Sequence, residues 1–261
     1  MGLILSDTSA TQFSIYQKKD VSRHGFNALQ AWEFAELTDG TMYVGSENGV
    51  FQAEQSPDEF CFRHIYYEKL QEPFVNCMLN DGDSILWIGH YREGITEINL
   101  ETSAVRYYRR DETTEMSLAQ NGIQAIFRDR NGLLWVGASG FLQHTSAQFN
   151  NFKSITLSAN GDNSLSNQIV KSTLVDHQGT LWVGTYNGLN RTTSNAWRQG
   201  NFSFDHYLPS TNSTKEQISH GNIFGLHEDS RGFLWATTFR GLNYLDLKAE
   251  RSQQYFKSLS F

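Results

Sequence analysis

The chain has 261 residues and a formal net charge of −7 at pH 7, with aromatic residues at 13% and only three prolines. This length suffices for one large all-β domain or two small ones. The acidic balance argues against a nucleic-acid partner, because such a binder needs a basic surface to displace counterions. No apolar run approaches the ~20 residues of a membrane-spanning helix, so we expect no direct membrane insertion by this chain. Residues 1–5 are too short and lack the basic start of a signal peptide.

Five copies of one motif recur along the chain. In the three clearest copies, residues 131–137, 178–184 and 231–237, a glycine is followed two residues later by Leu-Trp. Weaker copies occupy residues 39–45 and 83–89. The aromatic residue of the motif stands at positions 43, 87, 135, 182 and 235, at intervals of 44, 48, 47 and 53 residues. A period in this range indicates stacked supersecondary units.

Each copy lies within a longer unit of four short apolar or aromatic runs separated by Asp, Asn and Gly turn signals. This pattern predicts a four-stranded antiparallel sheet whose first hairpin turns at an Asp-x-x-Gly segment. A four-stranded sheet repeated at this period is a propeller blade. We therefore predict an all-β fold, a β-propeller segment of about five blades forming a single domain over residues 1–261. The units cover approximately residues 11–67, 68–109, 110–157, 158–208 and 209–261.

The repeat resembles the two-component regulator propeller family, whose pattern matches best at residues 170–190, where Asp176, Gly179, Trp182 and Gly184 are all in place. The fifth copy departs at Ala236, where Gly is expected, and the second replaces the Thr after the glycine with His90. The resemblance implies the periplasmic sensing region of a hybrid histidine kinase or a membrane-bound diguanylate cyclase. It also implies rings that usually have seven blades, so the remaining blades and the signalling domains would belong to a parent protein.

The two ends of the chain both look like the fourth, outer strand of a unit. Residues 11–17 and 254–259 carry the same alternation of aromatic and polar side chains. The sequence then contains six outer strands but only five sets of three inner strands. A closed ring of five blades needs five of each, so one outer strand would have no blade. We therefore expect an open arc or an imperfectly closed ring that is part of a longer array, with an exposed apolar flank.

The repeated residues have a structural interpretation. The tryptophans should wedge between blades, and each Asp should hydrogen-bond within its own turn. Chemistry is rarely replicated around a ring, so we assign no catalytic role to these residues. They are Trp87, Trp135, Trp182 and Trp235, with Asp81, Asp129, Asp176 and Asp229.

Ligand binding is expected where the copies differ. The connections between the second and third strands place aromatic side chains beside Asn, Arg and Glu, a combination that suits a saccharide or another small solute. The alternative is that these are solvated turn residues. The candidate ligand-binding residues are His90, Tyr91, Arg92, Glu93, Tyr186, Asn187, Phe239 and Arg240. The long polar segments 111–120, 158–167 and 208–221 are better suited to contacting partners or covering a site.

Signals for catalysis are weak. The eight histidines show no zinc-binding spacing, and no nucleophile elbow, phosphate loop or dinucleotide motif is present, so we expect no metal and no cofactor. A propeller enzyme would need a His/Glu set contributed by separate blades, and the sequence offers His227 and Glu33 as candidates without a motif. Cys61 and Cys77 fall on outer and inner strands of neighbouring units, too far apart for a disulfide, so we expect two free buried thiols.

Three functions remain open on the sequence alone. The first is a binding module, the extracytoplasmic sensor portion of a signalling protein, which could act as a homodimer in the periplasm. The second is an enzyme similar to the streptogramin-inactivating lyases, whose propellers carry a similar tryptophan-containing repeat. The third is a protein–protein interaction scaffold. The close match to the repeat favours the first, in which this chain performs no chemistry itself.

Overall fold

The structure, a computed structural model, describes most of the chain. The described residues are 3–6, 13–16, 25–55, 60–70, 72–114, 117–130, 132–145, 152–155, 164–192, 197, 202–209, 218–248 and 257–259. Among them, a short 3-10 turn lies at Tyr67–Lys69, and most of the other described residues lie in β-strands and the turns that join them. No helix in this part of the chain is long and apolar enough to span a bilayer.

Five four-stranded antiparallel sheets follow one another along the chain, each with its strands in sequence order. The all-β propeller fold with five blades is therefore confirmed. Blade 1 contains β3 (Ala31–Glu36), β4 (Met42–Ser46), β5 (Gly49–Gln55) and β6 (Phe60–Ile65); blade 2 contains β7 (Val75–Asp81), β8 (Ile85–His90), β9 (Ile95–Asn99) and β10 (Val105–Tyr108). Blade 3 contains β11 (Ile123–Arg128), β12 (Leu134–Ala138), β13 (Phe141–Thr145) and β14 (Lys153–Ile155). Blade 4 contains β15 (Val170–Val175), β16 (Leu181–Thr185), β17 (Gly188–Thr192) and β18 (Phe204–Tyr207); blade 5 contains β19 (Ile223–Glu228), β20 (Phe233–Thr238), β21 (Gly241–Asp246) and β22 (Lys257–Leu259).

The first strands of the chain form a separate sheet. The strand expected within residues 11–17 exists as β2 (Phe13–Tyr16), but it pairs with β1 (Leu3–Ser6) in a two-stranded antiparallel sheet. The expectation that it is an outer blade strand was therefore wrong, because the neighbouring apolar run Leu3-Ile4-Leu5 supplies its partner. At the other end, β22 pairs with β21 as the outer strand of blade 5, as expected.

The chain divides into two compact units, 1–112 with 121–123 and 113–120 with 124–261. Blades 1 and 2 lie in unit 1, and blades 4 and 5, with all of blade 3 except Ile123, lie in unit 2. The single domain over residues 1–261 and the open or imperfectly closed ring remain predictions.

Within each unit, the aromatic residue of the repeat packs against the following blade. In unit 1, Tyr43 is 7% exposed and clusters with Val75 and Ile88 of blade 2. In unit 2, Trp135 shares a cluster with Val170 of blade 4, and Trp182 one with residues of blade 5. An aromatic of this size removes roughly 150–250 Å² from water, which at about 25 cal/mol per Å² amounts to ~4–6 kcal/mol.

The glycine two residues after the aromatic creates room for the next blade. A Cβ on Gly184 would lie 2.7 Å from Ile223 Cγ2, and one on Gly137 would lie 2.7 Å from Val170 Cγ1. The repeated glycine and the first apolar residue of the next inner strand therefore pack directly against each other. In blade 5 the strand register places Thr237 opposite Gly225 at this position, so the departure from glycine is at Thr237 rather than at Ala236.

The two cysteines are thiols in the structure, as expected. Cys77 is 4% exposed in β7, whereas Cys61 is only half-buried in β6. The expected burial therefore holds for Cys77 and is partial for Cys61, because an outer blade strand is covered on fewer sides than an inner one.

Candidate functional site

The repeated aspartates and tryptophans form hydrogen-bonded pairs at one end of blades 2, 3, 4 and 5. Each indole Nε1–H donates to a carboxylate oxygen of the Asp six residues earlier. The distances are 3.1 Å for Trp87 to Asp81, 3.2 Å for Trp135 to Asp129, 2.8 Å for Trp182 to Asp176 and 3.0 Å for Trp235 to Asp229. We call this the turn end of the blade, because the connection between the first and second strands lies there.

The same carboxylates also organise their own turns. Asp176 Oδ1 accepts hydrogen bonds from the backbone N–H groups of Gln178 and Thr180, at 3.0 and 2.9 Å. The indole contact was missed by the sequence reasoning, although a signal existed. The one copy that lacks the Asp, with Leu37 in its place, is also the one copy with Tyr43 instead of Trp.

At the opposite end of each blade, which we call the loop end, the second and third strands are joined by tight connections. In blade 4, Thr185 Oγ1 donates to the carbonyl of Gly188 at 2.8 Å and accepts from the N–H of Asn187 at 3.2 Å. Ser46 and Thr238 make the same pair of contacts in blades 1 and 5. This closure leaves the residue after the hydroxyl projecting outward, and in unit 2 those residues are Tyr186 and Phe239, 39% and 70% exposed.

Blade 2 closes its connection differently. His90 replaces the hydroxyl residue and is fully buried, with its Nε2 2.8 Å from Thr96 Oγ1. Burial lowers the pKa of His90 to about 4, so the ring is neutral at pH 7. This predicted ligand residue is therefore inaccessible, and it instead supports the exposed residues that follow it, Tyr91 and Arg92. Glu93 is half-buried and forms an ion pair with Arg109.

In unit 1, three aromatic side chains line up across the loop ends of blades 1 and 2. Trp32 lies 5.8 Å from Phe74 between ring centroids, and Phe74 lies 5.4 Å from Tyr91. Trp32 and Tyr91 are each 47% exposed. The guanidinium of Arg92 lies 5.3 Å from the Tyr91 ring centroid, and its backbone N–H donates to a carboxylate oxygen of Glu72 at 2.7 Å. We call Trp32, Phe74 and Tyr91 the aromatic row.

Unit 2 also presents aromatic side chains at its loop ends. The ammonium of Lys171 lies 5.1 Å from the Tyr186 ring centroid, and His220 lies 5.5 Å from the Phe239 ring. Phe224 is 46% exposed. The remaining candidates, Asn187 and Arg240, are exposed. Within this unit the structure therefore brings aromatic, cationic and amide groups to the same end of the blades.

A repeated β-bulge delivers several of these side chains. The register of the inner strand shifts between Ala31 and Glu33, between Val75 and Cys77, between Val170 and Ser172, and between Ile223 and Gly225. A bulge leaves one residue out of the ladder and redirects its side chain. The residues left out are Trp32, Asn76, Lys171 and Phe224. The sequence reasoning missed this position, although it differs in every copy, which is the signal that could have identified it.

The residues considered for acid–base chemistry lie in different units. His227 is exposed on β19 in unit 2. Glu33 is half-buried on β3 in unit 1, where burial raises its pKa and a hydrogen bond from the Phe34 N–H opposes that effect. Among the described residues, no group of three or more His, Cys, Asp or Glu side chains is arranged to hold a metal ion.

Comparisons with known proteins identify the repeat. The fold and its loop ends define a β-propeller that presents variable polar and aromatic groups on a constant scaffold. The family model described as "Two component regulator propeller" matches residues 117–140 and 164–187, within and beside blades 3 and 4. Two repeats of this chain match the two component regulator propeller model, and the predicted resemblance to that family is confirmed.

Individual relatives share 30% or less of their aligned residues with this chain. The chain is 30% identical over 195 residues to histidine kinase P4 of Formosa agariphila, an alignment that covers 72% of this chain and 14% of the relative. Among solved structures, the extracellular domain of a protein described as a hybrid two component system from B. thetaiotaomicron superposes with a TM-score of 0.67 at 16% identity. That superposition covers 88% of this chain and 31% of the other. This chain thus spans only a small part of the length of either protein.

A propeller enzyme has a comparable fold. Virginiamycin B lyase from Staphylococcus aureus superposes with a TM-score of 0.60 at 11% identity, over 88% of this chain and 70% of the lyase. At such low identity these superpositions establish the propeller fold and carry no information about the site.

Proposed function

We propose that this chain is part of the ligand-sensing extracytoplasmic region of a two-component signalling protein, a hybrid histidine kinase or a diguanylate cyclase. Its family and its histidine kinase relative support this assignment. The region would lie in the periplasm, and the kinase or cyclase chemistry would reside in other parts of the parent protein. Under this proposal the chain binds a signal and catalyses nothing.

The observation that carries the binding role is the aromatic row of unit 1. Soluble proteins usually bury large aromatic side chains, yet Trp32 and Tyr91 are each half exposed and linked through Phe74. Flat rings beside directional polar groups are typical of sites that recognise sugar rings. Here the polar groups are the Arg92 guanidinium and the Glu72 carboxylate. A saccharide or a similar small solute is therefore the ligand class that this surface suits best.

Replacing Trp32 with alanine tests the proposal. The purified chain is titrated with neutral oligosaccharides of defined linkage, and binding is followed by calorimetry and by tryptophan fluorescence. Loss of the indole should weaken binding about tenfold, which corresponds to ~1.4 kcal/mol, and Tyr91→Ala should act in the same direction. The melting temperature should change little, because half of each ring is already in water.

Tyr107→Ala provides the matched control. Tyr107 is 42% exposed on the outer strand β10 of the same unit, and its hydroxyl donates to the carbonyl of Lys69. Its removal should leave saccharide affinity unchanged. If Tyr107→Ala and Trp32→Ala weakened binding equally, or if no oligosaccharide bound the wild-type chain, the aromatic row would not be the site.

A further inference from the structure

A polar pocket lies at the turn ends of the blades in unit 2. Its volume is about 430 Å³, and its lining includes Arg130, His177, Glu228, Ser230 and Lys248. Arg130, His177 and Ser230 occupy equivalent positions, each directly after the repeated aspartate of its blade. Three successive turns therefore project different side chains into one space, at the end of the strands remote from the loop ends.

Both carboxylate oxygens of Glu228, which lines this pocket, already contact donors of the protein. Its carboxyl side chain is only 10% exposed, and one oxygen accepts from the backbone N–H of His177 at 2.8 Å. The other oxygen contacts His177 Nδ1, and the guanidinium of Arg130 lies 3.7 Å from the carboxylate. Because the two ring nitrogens lie on opposite sides of an imidazole, this contact directs His177 Nε2 away from Glu228.

The second acid near the pocket, Asp229, is also fully engaged. One of its oxygens accepts from the Trp235 indole at 3.0 Å and from the Arg231 guanidinium, and the other accepts from the N–H groups of Arg231 and Phe233. The Trp235 hydrogen bond, followed by those from Phe233 and Arg231, holds the pKa of Asp229 well below its ordinary value. Both carboxylates near the pocket are therefore already matched by protein donors.

The groups that remain for a ligand are donors. Arg130 keeps 64% of its side chain exposed, so the guanidinium retains N–H groups beyond its long contact with Glu228. Lys248 is exposed and lies across the open side of Gly232, where an added Cβ would come within 2.8 Å of its Cε. Within the described part of the chain, no ion pair is recorded for Lys248. The Ser230 hydroxyl adds a further donor to the lining.

Unit 1 shows that this arrangement is not a general consequence of the repeat. At the equivalent positions blades 1 and 2 carry Thr38 and Gly82, neither of which is a cation. There, the backbone N–H and hydroxyl of Thr38 both contact the carboxylate of Asp83, which links the two turns without a basic residue. The contacts between His177 and Glu228 can likewise be explained as a structural link between neighbouring turns. Such a link needs neither Arg130 nor Lys248.

We propose that the pocket formed by Arg130, His177, Ser230 and Lys248 binds an oxyanion group of a small solute, namely a sulfate, phosphate or carboxylate. Arginine forms paired, charge-assisted hydrogen bonds with such groups, and lysine adds a point charge. The group could be a free inorganic ion or a substituent of an acidic sugar. This inference is independent of the aromatic row, which lies in the other unit at the opposite blade ends.

Calorimetric titration of the purified chain tests the pocket, with sodium sulfate, sodium phosphate, glucuronate and glucose as probes at constant ionic strength. Sulfate or phosphate and glucuronate should bind saturably, and glucose should not. Lys248→Ala and Arg130→Ala should each weaken anion binding about tenfold or more, since a charge-assisted hydrogen bond is lost. Glucuronate binding more tightly than sulfate would identify a sugar-borne group, and the reverse would identify a free ion.

Arg106→Ala is the matched control, because it removes an arginine whose side chain is 73% exposed on the outer strand β10 of unit 1, outside either candidate site. It should leave anion affinity unchanged. Lys248→Glu adds a second readout, because an exposed charge reversal should preserve the melting temperature while abolishing binding. The proposal is overturned if no anionic probe saturates the wild-type chain, or if Lys248→Ala binds anions as the wild type does.

Discussion

The pairing of each repeat aspartate with the indole six residues later is the main polar interaction at the turn ends. Asp176 is 1% exposed and accepts from three donors, the Trp182 indole and the N–H groups of Gln178 and Thr180. A buried donor left without a partner costs roughly 1–3 kcal/mol. The aspartate is therefore a stabilising residue in its own right, in addition to shaping its turn.

We predict that Asp176→Ala lowers the free energy of unfolding by about 2–3 kcal/mol, since buried donors lose their acceptor. Urea denaturation followed by tryptophan fluorescence measures the change. Asp39→Ala is the control, because exposed Asp39 accepts from the N–H of Thr41 in the turn of blade 1 and has no indole partner there. That substitution should cost less than about 1 kcal/mol. Equal losses for the two variants would contradict a stabilising role for the indole contact.

A buried histidine makes stability depend on pH. Burial lowers the pKa of His90 to about 4 in the folded chain, compared with 6.5 for the unperturbed group. Above pH 6.5 His90 is neutral in both states and costs nothing. As the pH falls from about 6.5 to about 4, the unfolded chain binds a proton that the folded chain excludes, so stability is lost by about 3 kcal/mol in total.

We predict that His90→Gln removes this part of the pH dependence. Urea unfolding at pH 7.5, 5.5 and 4.5 should show a smaller loss of stability on acidification for the variant than for the wild type. Thr96→Val is the control, because it removes the hydrogen-bond partner of His90 while keeping the titratable ring. It should lower stability at every pH without changing the slope. A His90→Gln profile parallel to that of the wild type would show that another group causes the acid sensitivity.

At the scale of the element, the connections at the loop ends depend on glycines in a left-handed conformation. Gly94 and Gly132 have the same φ of +80°, one at a loop end and the other at a turn end. A Cβ on Gly94 would lie 2.1 Å from the carbonyl oxygen of Tyr108, whereas one on Gly132 would meet nothing within 4 Å. Alanine substitutions at Gly94 and Gly132 therefore distinguish the free-energy cost of the left-handed backbone conformation, present at both, from the cost of steric overlap, present only at Gly94.

We predict that Gly132→Ala costs about 1–2 kcal/mol, the ordinary penalty for a side chain in this conformation. Gly94→Ala should cost at least ~2 kcal/mol more, because the outer-strand backbone would have to move. Chemical denaturation of both variants gives the comparison. The overlap at Gly94 would be unimportant if the two substitutions had equal effects. Because Gly94 ends the connection that carries Tyr91 and Arg92, its variant should also weaken saccharide binding.

The bulges at the start of the inner strands explain how one repeat presents different chemistry. Strand pairing constrains the residues before and after the bulge, such as Ile223 and Gly225, because they pack or pair with neighbouring strands. The residue between them is left out of the strand pairing, so it need neither pair nor pack with a neighbouring strand. It can therefore be Trp32 in one blade and Lys171 in another without altering the blade. Binding specificity can change at this position while the scaffold remains constant.

At the scale of the whole molecule, periodicity predicted most of the architecture. A repeat of 44 to 53 residues with four apolar runs could only be satisfied by short strands in successive sheets, and five such sheets are present. The strand pair β1–β2 was not predicted, because residues 3–6 have no counterpart elsewhere in the repeats against which they could be compared. Local propensity alone cannot choose a partner for an isolated apolar run.

The candidate sites were predicted less completely. Sequence comparison among the copies identified Tyr91, Arg92, Tyr186 and Phe239 as variable residues, and the structure exposes all four. His90 was grouped with them because it is adjacent in sequence, yet its side chain turns inward to Thr96. Adjacent strand residues point to opposite faces, and only the closure of the hairpin decides which one turns inward.

The sequence by itself determined the all-β propeller class, the blade count and the residues of the structural repeat, because each follows from periodicity and turn chemistry within one unit. Only the tertiary structure decided which variable residues meet. The aromatic row brings together Trp32, Phe74 and Tyr91, and the polar pocket at the turn ends of unit 2 brings together Arg130, His177 and Lys248. These residues come from different strands and turns of successive blades. Their proximity depends on how one blade packs on the next, which a pattern repeated within each blade does not encode.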